Sequence, residues 1–417
     1  MPSSDSPAEF PTHLSVDAAR ARVAELCLPR RLATESVDLE CALGRILASD
    51  LIAPHDLPPF ANSAMDGYAL RGTDLPARGE AGFRVAGCVL AGSAHAPRFG
   101  SGECLRITTG APLPAEADTV VMKEKVRVEG DFIIVDAGQR AGANVRSAGE
   151  DYRAGENVLR AGDRLSAARL GVLAACGHAT TQVTRLPRVA LFVTGDELVP
   201  PDRALGFGQI HDSNRYSLGG LLQGLGIEPS PVAHLRDDPD TIRVALRKAG
   251  ERSDVIISSG GVSAGEADFM PSMIAELGRV HFWKVRMKPG MPVLCGEVGG
   301  AIVFALPGNP VSSIATFLTL VRPALLALQG ASPVDGCSTK ARLAVGICKQ
   351  HDRTEFVRVR VQPCDDGACW ATPLPAQGSG MLRGVAEADA LMILPEHVFE
   401  LAVGDVVDVM LLPGIIW

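Results

Sequence analysis

Between Arg188 and Leu306 the chain repeats one pattern: a short, almost purely apolar run, a polar or glycine-rich break, then an amphipathic segment. The apolar runs are RVALFVTG, PVAHLR, DVIISSGG, VHFWKVRM and AIVFALPG; among the segments between them are SNRYSLGGLLQGLGIEP, DDPDTIRVALRKAG and DFMPSMIAELG. Runs this short and this apolar fit strands covered on both faces, and their alternation with helices leaves little choice but a mostly parallel sheet. The set closes with VSSIATFLTLVRPALLALQG, a long helix that Pro323 is expected to bend. Residues 185–332 are therefore expected to form one α/β domain.

At 417 residues the chain exceeds what one core usually serves, so further domains are expected. Short β-branched runs broken by glycine, such as FRVAGCVLAG, DFIIVDAG and FVRVRVQP, read as small β domains on either flank. VDAARARVAEL and SAARLGVLAACG read as helices of one elongated element interrupted by the first β insert. The expected boundaries are 14–55 with 148–184 for an elongated N-terminal domain, 56–147 for an inserted β domain, 185–332 for the α/β domain, and 333–417 for a C-terminal β domain.

Bulk properties exclude several classes. Net charge is −8 and there is no basic block, which argues against nucleic acid as a partner. The N-terminal MPSSDSPAEFP lacks the build of a signal peptide, no uninterrupted apolar run of membrane-spanning length is apparent, and a cytoplasmic location is expected. The ten cysteines are scattered with no CxxC pair, so reduced and mostly buried thiols are expected rather than zinc or disulfides.

Each apolar run ends in polar or glycine-rich residues: TGDE, RDD, SSGGVSAGEAD, KPG and PGNP. In open parallel sheets ligands bind outside the carboxyl ends of the strands, so five such ends point to one shared rim. The glycines of SSGG bring backbone amides close to phosphate-like oxygens, or merely turn the chain. Glu197, Asp237, Glu266 and Asp268 would repel a phosphate unless a hard cation such as magnesium stood between them. Asp237 has a competing reading as a helix N-cap. Lys284 and Lys288, four residues apart, would share one face of a straight strand and meet one anion together, while Arg286 reads as a solvated edge residue. PGNP, from Pro307 to Pro310, gives a rigid exit from strand to helix. Upstream, LPPFANSAMDGYAL, RITTGAPLP and GANVRSAGEDY carry Asn62, Ser63, Asp66, Thr109, Arg146 and Asp151, which no physical pattern interprets.

FANSAMDGYALR, TTGAPLP, NVRSAGEDY, TGDEL, GQIHDSNR, SSGGVSAGEADF, KPGMP and LPGNPVS, in this order, resemble the molybdopterin molybdenumtransferase family, MoeA, whose animal relative is the C-terminal domain of gephyrin. The likeness runs from about residue 14 to the C-terminus. It implies a four-part subunit with a molybdopterin-binding α/β domain and a barrel-like C-terminal domain. It also implies a homodimer with a shared active site, handover to or from molybdopterin adenylyltransferase and molybdoenzyme-maturation proteins, and no membrane or nucleic-acid partner. The implied reaction inserts molybdate into adenylylated molybdopterin and releases AMP, with Mg2+ present.

Carried over by motif, Glu197, Asp237 and Asp268 would serve the metal and phosphate chemistry, and Lys284 and Lys288 would hold anionic oxygens. Ser259, Gly260, Gly261, Ser263, Pro307 and Pro310 would line the substrate site. Asp66, Thr109, Arg146 and Asp151 would complete it from the partner subunit. Ala61, where an acid is expected, and Met291, where a lysine is expected, depart from the family pattern. A scaffold of the same fold, or an adenylyltransferase, are the alternatives; likeness to the latter would cover only 185–332.

Overall fold

The computed structural model describes residues 10–262, 269–333, 338–363 and 369–412. Two compact units divide the chain: the stretch up to Ala48 with Ala161–Ser166 and everything from Gln182 onward, and Ser49–Arg160 with Ala167–Thr181.

The first unit is organised by a seven-stranded sheet. In chain order its elements are β1 (Thr12–Leu14), α1 (Val16–Cys27), β2 (Val189–Thr194), α2 (Asn214–Gln223), β3 (Val232–Leu235), α3 (Pro239–Gly250), β4 (Val255–Ser259), α4 (Met270–Leu277), β5 (Gly278–Val285), β6 (Leu294–Val298), β7 (Ala301–Leu306), α5 (Pro310–Thr316) and α6 (Arg322–Leu328). The strands lie in the order β1-β5-β6-β7-β4-β2-β3. All run the same way except β6, which is antiparallel to both neighbours. Every residue of β2, β4 and β7 is buried, as strands covered on both faces require.

One apolar cluster covers the face with α1, α2, α5 and α6, through Leu191, Ile257, Phe304 and Phe317; the other, with α3 and α4, gathers Phe192, Ile256, Val303 and Ile274. The mostly parallel, two-faced sheet is thus as the periodicity indicated. The sequence reading missed β6 and β1. β6 forms a hairpin with β7 through Gly299 and Gly300, both at positive φ (59° and 98°), the geometry of a two-residue hairpin turn. β1 has only three residues, too few for any periodicity, and it zips onto β5 so that the following α1 packs in the α/β core. The α-helix paired with α1 in the sequence reading, Ala167–Ala175, lies in the second unit.

Pro310–Leu328 is one continuous 19-residue helix, and Phe317–Val321 within it has π geometry. The wider turn falls just ahead of Pro323, whose missing N–H and bulky ring would disrupt a regular α-helix there. By length and composition alone this helix could cross a bilayer, although Ser312, Ser313 and Arg322 interrupt its apolar run, and most of it is buried inside the protein as a core helix.

The C-terminal strands Ser338–Leu343, Thr354–Pro363, Cys369–Pro373, Ala390–Leu394 and Val406–Leu411 close on themselves as a five-stranded barrel, because Thr354–Pro363 pairs with both Cys369–Pro373 and Ala390–Leu394. Val357, Val359, Ala371, Met392 and Val409 fill it. A short strand after β5, Met287–Lys288, adds to this barrel in parallel with Thr354–Pro363.

The second unit holds a six-stranded sheet with apolar clusters around Leu105 and Val120 on one side and Phe83 and Ile133 on the other. Of the described cysteines, Cys27, Cys104, Cys176 and Cys295 are buried, Cys41, Cys88 and Cys348 are exposed, and none forms a disulfide. Only half of the described cysteines are buried, fewer than the mostly buried set expected; Cys337 and Cys364 lie outside the described residues.

Candidate active site

The carboxyl ends of β2, β3, β4 and β7 open into one cleft of about 450 Å³. After β2 the chain passes to β3 on one side, then crosses back to β4 on the other. The cleft therefore sits at a topological switch point, where adjacent connections diverge and leave a crevice. Its walls include Glu197 from the loop after β2, Asp237 from the loop after β3, Ser259, Gly260 and Gly261 from the end of β4, and Pro307 and Pro310 around the β7 exit.

Local chemistry explains each placement. Gly195, at φ 144°, leaves room for the Glu197 carboxylate: a Cβ there would lie 2.6 Å from Glu197 Oε2. Asp238, not Asp237, caps α3, its Oδ2 accepting from Thr241 N at 2.8 Å and from Thr241 Oγ1 at 2.6 Å. The N-cap reading of Asp237 is thereby corrected; Asp237 lines the cleft with Glu197, its Oδ2 accepting from Asp196 N at 3.3 Å. Gly260 sits at φ 102° against the end of β2, where a Cβ would come within 2.6 Å of Thr194 O. Its amide is not available to a ligand, because it donates to Leu306 O at 3.0 Å.

Ser259 is held by a polar knot that the sequence reading did not single out. Asn214, the first residue of α2, donates from Nδ2 to Ser259 Oγ at 2.8 Å and to Gly308 O at 2.7 Å, and Ser259 Oγ also meets Ser313 Oγ at 3.2 Å. Asp212, buried nearby, accepts from Arg215 N at 3.0 Å. The signal for both residues lay in HDSNR, polar residues opening a helix beside a strand end. Thr194 Oγ1 and Asn214 Oδ1 are buried in the cleft region without a hydrogen-bond partner. Ser263, Glu266 and Asp268 lie outside the described residues.

Among the described residues the polar lining of the cleft is acids, hydroxyls, amides and His211, with Leu198, Ile210, Val262 and prolines between them and no lysine or arginine. Glu197 and Asp237 present hard oxygen donors to a common space, and no group of three His, Cys, Asp or Glu gathers among the described residues. That donor set fits magnesium, which takes one or two carboxylates and fills its remaining positions with substrate phosphate oxygens and water.

A second cavity, of about 340 Å³, shares Pro292, Pro307 and Asn309 with the cleft and extends to the barrel. Lys288, Met291, Arg353, Glu355 and Ser379 line it. Lys284 lines neither space: it adopts φ 64°, which ends the straight-strand alternation, and its Nζ lies 4.3 Å from the centre of the Trp283 ring. The straight-strand argument for a shared face therefore does not apply to the two lysines, because even spacing places residues on one face only while the strand stays regular. Arg286, expected on a solvated edge, pairs with Glu396.

In the second unit the upstream motifs do converge. Asp66 Oδ1 accepts from Thr109 N and Thr109 Oγ1, both at 2.9 Å, while Oδ2 lies 3.3 Å from Lys123 Nζ. These bonds, the Thr109 backbone amide first, hold the Asp66 carboxyl below its usual range. Arg146 pairs in register with Asn62 on a two-stranded ribbon, and Asp151 is tied by its amide to Leu57 O at 2.9 Å.

A parallel-rich α/β domain with an acid-lined cleft at its switch point, joined to a five-stranded barrel, defines a multidomain protein of the molybdopterin-binding class. The comparisons agree segment by segment: residues 14–177 match the MoeA N-terminal region (domain I and II), 190–327 a probable molybdopterin binding domain, and 340–412 the MoeA C-terminal region (domain IV). The molybdopterin molybdenumtransferase of Haemophilus influenzae is 34% identical over 95% of this chain and 98% of its own. That of a Nostoc species is 36% identical over 87% and 85%. The crystal structure of the molybdopterin biosynthesis moeA protein from Pyrococcus horikoshii OT3 superposes with a TM-score of 0.81 at 30% identity, covering 96% of this chain and 100% of the other. The chain belongs to the MoeA family, the molybdopterin molybdenumtransferases, and is a transferase of molybdenum cofactor biosynthesis. This is the family that the order of motifs resembled.

Proposed function

We propose that the protein takes adenylylated molybdopterin and molybdate and, with Mg2+ bound, releases AMP and the molybdenum-loaded cofactor. The observation that carries this reading is an acid-lined cleft at the strand ends with no lysine or arginine among its described lining residues. A phosphoanhydride is repelled from such a cleft unless a divalent cation accompanies it.

Glu197 and Asp237 would hold that cation, with Asp268, which follows β4 in the sequence, proposed as a further ligand. Bound magnesium supplies polarisation of the anhydride and neutralises charge on the leaving phosphate. Ser259, with Gly260 and Gly261, shapes the floor, and Pro307 and Pro310 fix the wall, so the substrate is positioned by rigid strand ends. Lys288 serves as the anion-binding lysine from the adjoining cavity, where Met291 replaces an expected positive charge with a thioether; Lys284 acts from outside both spaces. Asp66, Thr109, Arg146 and Asp151 complete the site from the second copy of a homodimer, with Ala61 ahead of their first loop. We further place the reaction in the cytoplasm, between molybdopterin adenylyltransferase and the proteins that mature molybdoenzymes.

Equilibrium binding of adenylylated molybdopterin tests the cation-bridged cleft. Affinity should rise at least tenfold with Mg2+ for the native protein and lose that increment in Asp237→Asn. Tight, magnesium-independent binding would refute the bridge.

A further inference from the structure

A charge cluster stands on the wall of the second cavity, apart from the acid-lined cleft. Lys288 Nζ lies 2.9 Å from Glu355 Oε1, and the two residues are register partners across the short strand and the barrel, so backbone pairing holds them together as well as charge. The other Glu355 oxygen, Oε2, lies 3.2 Å from His351 Nε2. That ring nitrogen is buried and makes no aligned hydrogen bond, whereas Nδ1 accepts from the Arg353 backbone N–H at 3.3 Å. The Glu355 and His351 side chains keep only 17% and 19% of their exposure, so one half-desolvated carboxylate faces two basic groups, only one of them already charged.

The ionisable groups facing His351 are Glu355, Lys288, Arg353 and Lys349. Lys349 is itself held by the carbonyls of Arg353, Pro395 and Glu396, with the Glu396 and Asp352 carboxylates in its field. Burial first, and then the three cations, oppose a charge on the ring; Glu355 alone favours it. In the free cavity burial and the three cations thus disfavour the imidazolium, and Glu355 is paired with Lys288.

We propose that oxyanion binding in this cavity is coupled to protonation of His351, with Glu355 as the positioning residue that exchanges Lys288 for the imidazolium. This rests on the reading of Lys288 as a ligand of anionic oxygens. Once an oxyanion takes the Lys288 ammonium, Glu355 is left with an uncompensated charge, and the repulsion that Lys288 exerts on the ring is offset by the anion. A proton from solvent then enters at His351 Nδ1, the Arg353 amide is released, and the cation faces Glu355 through Nε2–H. One N–H bond forms at Nδ1 as the bond holding that proton to hydronium or to the buffer acid breaks, and no electron is transferred: one anion and one proton enter together.

Calorimetric titration of the full chain with sodium molybdate, in buffers of different protonation enthalpy, counts the protons taken up. Net uptake near neutral pH is expected, with affinity falling as pH rises, by at most about tenfold per pH unit. His351→Gln should bind molybdate without uptake and without that pH dependence, Glu355→Gln should likewise show no uptake, and Lys288→Ala should bind poorly at any pH. Binding by the native protein without uptake, or uptake persisting in His351→Gln, overturns the coupling while leaving the Lys288 reading intact. Absence of molybdate binding by the native protein overturns both. Should a variant fail to fold, NMR titration of His351 in the native protein decides: its pKa must rise on adding molybdate, and an unchanged value overturns the coupling.

Discussion

Asn214 donates a 2.8 Å hydrogen bond to Ser259, joining the first turn of α2 to the last residue of β4 across the floor of the cleft. The same amide reaches Gly308 O at 2.7 Å, so one side chain sets the spacing of the β4 and β7 exits. Asn214→Ala removes both bonds and should cost about 1–3 kcal/mol of stability, since part-buried acceptors lose their donor. Turnover should fall more steeply than stability, and kcat/KM should drop at least tenfold. Chemical denaturation and initial rates of AMP release read the two effects separately; a large loss of stability with unchanged kcat/KM would make Asn214 a structural residue only.

Gly260→Ala should be more severe. Its Cβ would collide with Thr194 O at 2.6 Å, and the residue would be held at φ 102°, a conformation that costs an L-residue of order 1–3 kcal/mol before any clash is counted. A fall of several degrees in melting temperature together with loss of substrate binding is expected. Native-like values for both would show that the loop yields without consequence.

Acid should destabilise the α/β domain through Asp254. Burial alone would raise its carboxyl pKa, but Arg185 and Arg188 outweigh that and hold it far below the usual range; Arg185 makes two bonds, at 2.7 and 2.8 Å. A depressed folded-state pKa contributes stability that is fully present above the unfolded value of about 3.9 and is lost as pH falls below it. Asp254→Asn should cost about 1–3 kcal/mol at neutral pH, because it removes the charge-assisted bonds of part-buried Arg185 and of the more exposed Arg188, and should flatten the acid limb of the stability profile. Urea midpoints measured from pH 7 to pH 3 check both, and a variant as acid-labile as the native protein would assign the limb to other groups.

Magnesium dependence should follow the two cleft carboxylates. Glu197→Gln and Asp237→Asn should each raise the Mg2+ concentration for half-maximal rate by tenfold or more, with melting temperature nearly unchanged, because neither carboxylate supports the core. Variants that melt early but keep the native magnesium requirement would point to a structural role.

How much of this was legible in the chain depended on the range of the interactions. The rim could be read because each of its members follows its own strand directly, so Glu197, Asp237 and Ser259 were placed by local periodicity alone. β6 was missed although the Gly299–Gly300 pair between two apolar runs is a hairpin signal, because the helix-strand rhythm suggested crossovers throughout. The straight-strand geometry assumed for Lys284 and Lys288 is broken by a single backbone torsion, which spacing does not report. Glu355 and His351 were invisible for a different reason: their meeting with Lys288 exists only once the Met287–Lys288 strand joins the barrel in register.

Sharing of the site between subunits is testable by mixing. On the proposed homodimer, the Asp66→Asn and Asp237→Asn proteins should each be nearly inactive, and after subunit exchange their mixture should recover up to about a quarter of native activity, since half the molecules would be heterodimers with one intact site of two. Exchange without recovery would place the Asp66 loop and the cleft in the same subunit's chemistry or in none.

The most direct measurement is AMP release by the purified protein supplied with adenylylated molybdopterin, molybdate and Mg2+. AMP and metal-loaded cofactor should appear in equal amounts, and omission of magnesium should reduce both. A folded protein that binds the substrate under these conditions yet releases no AMP would contradict the assignment.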